Sequence, residues 1–340
     1  MSRVLEALIK ASEKAACIAR SCTESTGDTL LVAEKGENDA NVRFERDFKT
    51  IADVLAQECA KVEIASYLPG LGEYVRGEEC NEINGVTISI QESEEETAKL
   101  LSSLIPMSTA KRMSKAVHDE INYTVCNDLP EIPTLDTDSL GVWIDPIDAT
   151  AEFIAGVRGE ADPSHGLPCV TVLIGAYLRS SGEPVVGVIN QPFYNGGKGR
   201  IIWGVNYGGV KKCYIGDKEV ASEHNTILIS GAEKPDIIEK INNSGFEVVS
   251  VPGAGHKLLK IALGEAAGYI VSKGTTFRWD TCGPHAILNA KGGGLISYTT
   301  HQQITYNDDT DLDSKEYCNS QGIIAYANND TLQKILNVLS

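Results

Sequence analysis

The chain has 340 residues, 42% of them hydrophobic and 23% charged, enough to bury one large core or two lobes packed on each other. Thirty basic residues against 47 acidic ones leave a net charge of −17, which repels a nucleic-acid backbone or an anionic membrane surface, so neither is an expected partner. No apolar run approaches the roughly 20 residues of a bilayer span, and charges interrupt the N-terminus where a signal peptide would be apolar, which predicts a cytoplasmic protein.

Val4, Leu5, Leu8, Ala11, Ala15 and Ile18 recur at helical spacing, and residues 50–67 repeat the pattern with Ile51, Val54, Leu55 and Cys59 inward. Both stretches predict amphipathic helices. Ser93 with Glu96 makes a capping box that starts a third helix ahead of TAKLLSSLI. The polar run NDLPEIPTLDTDS, residues 127–139, reads as a surface loop. Beyond it GVWIDPI, CVTVLIGAYL, VVGVINQPF and IIWGVNYGGV are short β-rich runs parted by Gly, Pro and Ser, as in successive strands of one sheet. From Thr226 the rhythm changes: TILIS, FEVVSV, AGYIVS and GGLISY alternate with helix-like HKLLKIALGEA and PHAILNAKG. The expected organisation is an α+β lobe over residues 1–225 and an α/β lobe over 226–340. Nine scattered cysteines without a CxxC pair predict reduced, mostly buried thiols.

In WIDPIDATAEFI an apolar strand, Val142 to Ile144, delivers Asp145. Pro146 fixes a turn, and Asp148 takes the N-cap position of a helix opened by Ala149 and Thr150. Two carboxylates three residues apart across such a turn can converge on one point, although capping alone explains Asp148 equally well. In DFKTIADVLAQE, Thr50 is the N-cap and Asp53 the third helical residue, again as simple capping would have it. In FRWDTCGPHAIL, Asp280 follows an apolar strand end and stands at a helix entrance. Glu78 and Glu79, in RGEEC, end an irregular stretch. The coincidence of these acids points further than any of them alone. Magnesium takes oxygen ligands from several carboxylates, and helix N-termini offer free N–H groups to a phosphate, so the pattern describes metal-assisted attack on a phosphate ester.

WIDPIDAT and WDTCGPHAIL, with GEE upstream, resemble the signature of the lithium-sensitive, magnesium-dependent phosphatases. That superfamily includes inositol monophosphatase, fructose-1,6-bisphosphatase and the 3′(2′),5′-bisphosphate nucleotidases. SEKAACIAR, DFKTIADVLAQE, GEECNEI, EEETAKLL, PCVTVLIGAY, GVINQPF, GAGHK, TTFRWD and CGPHAIL sample nearly the whole chain and look like the branch that removes the 1-phosphate of inositol polyphosphates. The long interval between Glu78 and Asp145 agrees, since inositol monophosphatases close it with a shorter connection.

The resemblance implies a layered αβαβα sandwich. Its N-terminal lobe would carry a largely antiparallel sheet and most metal ligands, and its C-terminal lobe Asp280 and the substrate wall. By position it implies that Asp53, Glu78, Glu79, Asp145, Asp148 and Asp280, with the backbone carbonyl of Ile147, hold two or three Mg2+ ions, and that Li+ inhibits. Glu78, Thr150 and Asp53 take the catalytic positions, Thr150 and Glu78 orienting the attacking water. Asp148 and the N–H groups of Ala149 and Thr150 meet the scissile phosphate, while Lys234, Gly253, Ala254 and Lys257 line the remainder of the substrate site. The implied substrate is a small inositol polyphosphate, inositol 1,4-bisphosphate or inositol 1,3,4-trisphosphate, and the implied state a monomer. His256 reads as a packing or rim residue. Three positions depart from the pattern: Ala149 and Ala232 stand where Ser is expected, and Lys273 stands where relatives place an acid. The alternatives are a bisphosphate nucleotidase and, in another class, a non-catalytic inositol-phosphate-binding protein.

Overall fold

A computed structural model describes residues 3–24, 30–35, 48–121, 129, 131, 134–162, 164–216, 225–307 and 317–339. Helix α1 (Arg3–Ser21) buries Val4, Leu5, Leu8, Ala11, Ala15 and Ile18, the residues whose spacing predicts it. Strands β1 (Val32–Glu34) and β2 (Phe48–Thr50) pair antiparallel, and α2 (Ile51–Tyr67) starts directly from β2. Its start is the expected capping box: Thr50 Oγ1 accepts the Asp53 N–H, and the Asp53 carboxylate accepts the Thr50 N–H at 2.8 Å. β3 (Val75–Gly77) and the small hairpin β4 (Glu82–Ile83) and β5 (Val86–Thr87) follow.

Helix α3 (Glu94–Leu101) has Ser93 as N-cap, its hydroxyl accepting the Glu96 N–H at 3.2 Å. It stops at Leu101 and does not run on through SSLI. The residue before a proline is biased out of helical conformation, and Pro106 instead opens α4 (Met107–His118), which the sequence reading passed over. The loop expected at 127–139 lies largely outside the described residues; within them Thr137–Ser139 form one 3-10 turn.

β6 (Leu140–Asp148) leads into α5 (Thr150–Arg158), then β7 (Thr171–Leu178), β8 (Pro184–Gln191), the short turn α6 (Tyr194–Gly197), β9 (Arg200–Tyr207) and β10 (Val210–Tyr214). With β3 these strands form a six-stranded sheet ordered β10-β9-β8-β7-β6-β3, antiparallel except for the parallel pair β3 and β6. The second half runs β11 (Thr226–Ile229), α7 (Pro235–Asn243), β12 (Glu247–Ser250), α8 (Ala254–Ala262), β13 (Gly268–Val271), α9 (Arg278–Lys291), β14 (Gly294–Ser297), β15 (Ile323–Tyr326) and α10 (Asn329–Leu339). Its five-stranded sheet is ordered β12-β11-β13-β15-β14; β11 is parallel to both neighbours and β15 antiparallel to both of its own.

Alternation along each strand assigns the layers. Val172, Ile174 and Ala176 of β7 join the core beneath α1 and α2, whereas Leu173 joins Leu258, Leu259, Ile287 and Leu288 of α8 and α9. That second core continues into Leu228, Tyr269 and Ala325 of the five-stranded sheet, whose other face, with Ile227, Ile270 and Ile324, packs on Ile237 of α7 and Ile335 of α10. The order helix, sheet, helix, sheet, helix is the expected sandwich. Helix α9 approaches the first sheet backbone to backbone. A Cβ on Gly175 would stand 2.3 Å from Gly283 N, and one on Gly187 would stand 1.9 Å from Gly283 O.

Candidate active site

The acids collect where β3, β6, α2, α5, α8 and α9 meet. β6 is buried along its whole length, and its pairing with β7 is irregular between Asp145 and Asp148. One carboxylate oxygen from each of Asp145, Asp148 and Asp280 lies within 4.8 Å of the others, and all three residues are buried. Asp280 stands in the first turn of α9 and accepts the Phe277 N–H at 2.5 Å. No strand precedes it, contrary to the sequence reading: Phe277 makes only an isolated bridge to Cys318, and Pro284 falls inside the helix.

Asp148 differs from expectation too. Ala149, at φ +67°, is the residue at the cap of α5, and it makes no side-chain cap bond. The Asp148 carboxylate turns away to accept the Gly255 N–H at 3.0 Å and the Thr171 hydroxyl at 3.2 Å. This ties the end of β6 to the first turn of α8. Gly253, the N-cap of α8 at φ +74°, is pressed against the same spot: a Cβ there would lie 3.1 Å from Asp148 Oδ2 and 3.3 Å from the Ala149 Cβ. The free ends of α5 and α8 therefore abut, with Thr150 and Ala254 as their first residues. N–H groups in such first turns lack helical partners and suit an anion.

Thr150 Oγ1 donates to Asp53 Oδ1 and lies equally near the Ile147 carbonyl, both at 3.3 Å. Glu78 is set beside β6 by its N–H, which donates to the Ile144 carbonyl at 3.1 Å. Glu79 is held by Gln57, whose side-chain carbonyl accepts the Glu79 N–H at 2.8 Å. Between the two glutamates stands Lys35, its ammonium 2.5 Å from Glu78 and 2.9 Å from Glu79. Lys35 and Gln57 carry no local signal, since both reach the glutamates from far along the chain.

Burial sets the electrostatics. It pushes Asp53 up to about 6, with Glu78 adding to the rise, and Glu79 up to about 8 against the pull of Lys35. Burial raises Asp148 to about 6 despite the opposing field of Lys257. Asp145 and Asp280 go well above the carboxylate range, again through burial first and then their acidic neighbours. Asp145 Oδ1 is buried without a hydrogen-bond partner. Three converging carboxylates, one with an orphan oxygen, cannot all stay ionised without a positive charge among them, and all-oxygen donors suit a hard divalent cation.

Lys257 sits beside this group but is 3% exposed; its ammonium donates to the Val251 carbonyl at 2.8 Å and lies over the Tyr269 ring. Burial lowers it to about 8, and the charges of Asp148 and Asp280 oppose that fall. Lys234 is an exposed N-cap of α7, and among the described residues no contact carries it to the acidic cluster. His256 is half-buried next to Pro252, and that burial takes it down to about 4. The departures at 232 and 273 touch each other: Lys273 Nζ donates to the Ala232 carbonyl at 2.7 Å.

A family model described as the inositol monophosphatase family matches residues 2–338. The inositol polyphosphate 1-phosphatase of Mus musculus is 36% identical over 392 residues, covering 100% of this chain and 97% of that protein. The 3′(2′),5′-bisphosphate nucleotidase 1 of Homo sapiens is 32% identical over 200 residues, covering 56% of this chain and 59% of that protein. Among solved structures, the extragenic suppressor protein suhB of Bartonella henselae superposes with a TM-score of 0.58 at 16% identity, over 100% of this chain and 99% of that one. An IMPase/NADP phosphatase complexed with Mg2+ and phosphate gives 0.53 at 15% identity, over 91% and 86%. At such identities the structures speak to the fold alone.

Proposed function

The chain belongs to the inositol monophosphatase family, and we propose that within it the protein is a divalent-metal-dependent phosphomonoesterase removing the 1-phosphate of inositol polyphosphates. The observation that carries the chemistry is the convergence of Asp145, Asp148 and Asp280 within 4.8 Å at the foot of two abutting helix N-termini. The likeness that carries the substrate is the full-length match to a 1-phosphatase of inositol polyphosphates, against a match of 56% of the chain to a nucleotidase.

In this reading Asp145, Asp148, Asp280 and the Ile147 carbonyl, with Glu78, Glu79 and Asp53, hold Mg2+ in two or three sites. Bound there, the metal supplies Lewis-acid chemistry, making water nucleophilic at neutral pH and neutralising charge on the leaving oxygen. Thr150, fixed by Asp53, orients the attacking water together with Glu78, while free N–H groups of Ala149 and Thr150 hold the phosphoryl oxygens. Ala149 in place of Ser removes a hydroxyl but leaves that N–H intact. Gly253 and Ala254 close the site opposite, and Lys257 and Lys234 are the proposed cations for the phosphate that is not cleaved. The division into lobes at residue 225 is kept as a proposal, supported by the two sheets falling on either side of it. The net charge of −17 supports small anions rather than nucleic acid or membrane as partners, and the family likeness supports a monomer; no helix among the described residues is long and apolar enough to cross a membrane.

Phosphate release tests the reading, measured on inositol 1,4-bisphosphate, inositol 1-phosphate and 3′-phosphoadenosine 5′-phosphate with Mg2+, with and without Li+. Preference for the inositol bisphosphate and inhibition by millimolar Li+ are expected. Preference for the nucleotide assigns the protein to the nucleotidases, and tight binding without release makes it a binding protein.

A further inference from the structure

The residue after Glu79 carries a separate chemistry. Cys80 Sγ lies 2.7 Å from Lys49 Nζ. The ammonium nitrogen and the sulfur are thus in direct hydrogen-bond contact. Lys49 is 5% exposed and is held from another side by the Glu82 carbonyl at 2.7 Å, which keeps its nitrogen on the sulfur. Cys80 is only half-buried. With Lys49, Asn81 and Glu82 it lines a cavity of about 420 Å3 among the described residues, ample for a small oxidant.

We propose that Lys49 and Cys80 form a reversible covalent redox link, with hydrogen peroxide as the oxidant. The sulfur attacks one peroxide oxygen, the O–O bond breaks, and the thiol hydrogen leaves with the other oxygen as water. Sulfur is oxidised by two electrons to the sulfenic acid and the peroxide is reduced by two. Lys49 Nζ, once it has given one proton to solvent, attacks that sulfur. An S–N bond forms, the S–O bond breaks, and the hydroxyl leaves with one amine hydrogen as a second water. The chain ends two hydrogens lighter, and a thiol reductant reverses the change.

Lys49 lies in β2 one residue before Thr50, whose bonds fix Asp53, while Cys80 directly follows Glu78 and Glu79. The link draws these two acid-bearing segments together, so its effect on activity rests on the reading of those acids as ligands, whereas its formation does not. The test is peroxide treatment of the reduced full-length protein followed by intact mass and peptide mapping. Expected is a species two hydrogens lighter in which the peptides holding Lys49 and Cys80 are joined, cleared by dithiothreitol and absent in Cys80→Ser and Lys49→Arg. Unfolding curves check that both variants fold. Phosphate release should fall as the link forms and recover with the reductant. A Cys80 that stops at sulfenic or sulfinic acid without joining Lys49, or that stays reduced while the exposed Cys213 is oxidised, overturns the proposal; a link formed with activity unchanged overturns its regulatory half.

Discussion

Replacing Asp148 by Asn should make the metal-free protein more stable while disabling it. Both bonds that Asp148 accepts, from Gly255 N–H and the Thr171 hydroxyl, go to Oδ2, and an Asn side-chain carbonyl can take both. What the substitution removes is a buried negative charge next to Asp145 and Asp280. Burial lifts the Asp148 carboxyl from its ordinary 3.8 to about 6, which corresponds to about 3 kcal/mol of destabilisation once it is ionised. Because the folded value is the higher one, the folded state binds the proton more tightly. The penalty is therefore complete above about pH 6 and absent below about pH 4. In chelator at pH 8, Asp148→Asn should gain up to about 3 kcal/mol in urea unfolding, an advantage that fades through pH 6 and is gone by pH 4. Added Mg2+ should then favour the wild type, since a ligand at a hundredfold its dissociation constant stabilises by about 2.7 kcal/mol. Phosphate release from the variant should fall at least a hundredfold at saturating Mg2+. A variant no more stable than wild type in chelator at pH 8, or one with activity within tenfold, refutes the placing of Asp148 as a charged ligand.

Three further outcomes follow from the same geometry. Thr150→Ala removes the hydroxyl between Asp53 and the Ile147 carbonyl and should lower kcat about a hundredfold with KM little changed; a shift in KM alone would assign Thr150 to binding. Gly187→Ala forces a methyl into the Gly283 carbonyl and should cost about 3 kcal/mol or more in urea unfolding, with activity lost alongside because α9 carries Asp280. Lys257→Ala should raise KM for inositol 1,4-bisphosphate about ten- to a hundredfold and leave inositol 1-phosphate nearly unchanged, as a charge-assisted contact of about 1.5–3 kcal/mol requires. Equal losses on both substrates would mean that the buried ammonium serves Asp148 and Asp280 instead of the second phosphate.

What the sequence disclosed was local. Thr50 and Asp53 are three residues apart and make the box that their spacing announces, and the alternating runs of β6 to β9 declare themselves by composition. Asp148 was misplaced because its partners, Thr171 and Gly255, belong to other elements, and because Ala149 takes a left-handed conformation for which alanine gives no cue. Strand β15 is as short as β11 to β14, and α4 and α10 are amphipathic like α1, so the patterns of these three were present locally although the sequence reading passed over them. The lysines on Glu78, Glu79 and Cys80 come from residues 35 and 49, and nothing in GEEC foretells a cation on either side of it.

The bond from Gly255 to Asp148 joins residues 107 positions apart, and Asp280 reaches Asp145 across a still longer span. Such closures form late, because their loop entropy must be met before the contact rewards it. Until they form, Asp280 is missing from the cluster and only the neighbours along the chain, Glu78 with Glu79 and Asp145 with Asp148, crowd one another. The repulsion that Asp280 adds to the finished site is therefore expected among the later steps of assembly. A chain cut between residues 148 and 255 would regain metal-dependent stabilisation only on reassociation of its pieces, which makes that stabilisation a measure of how completely the molecule has folded.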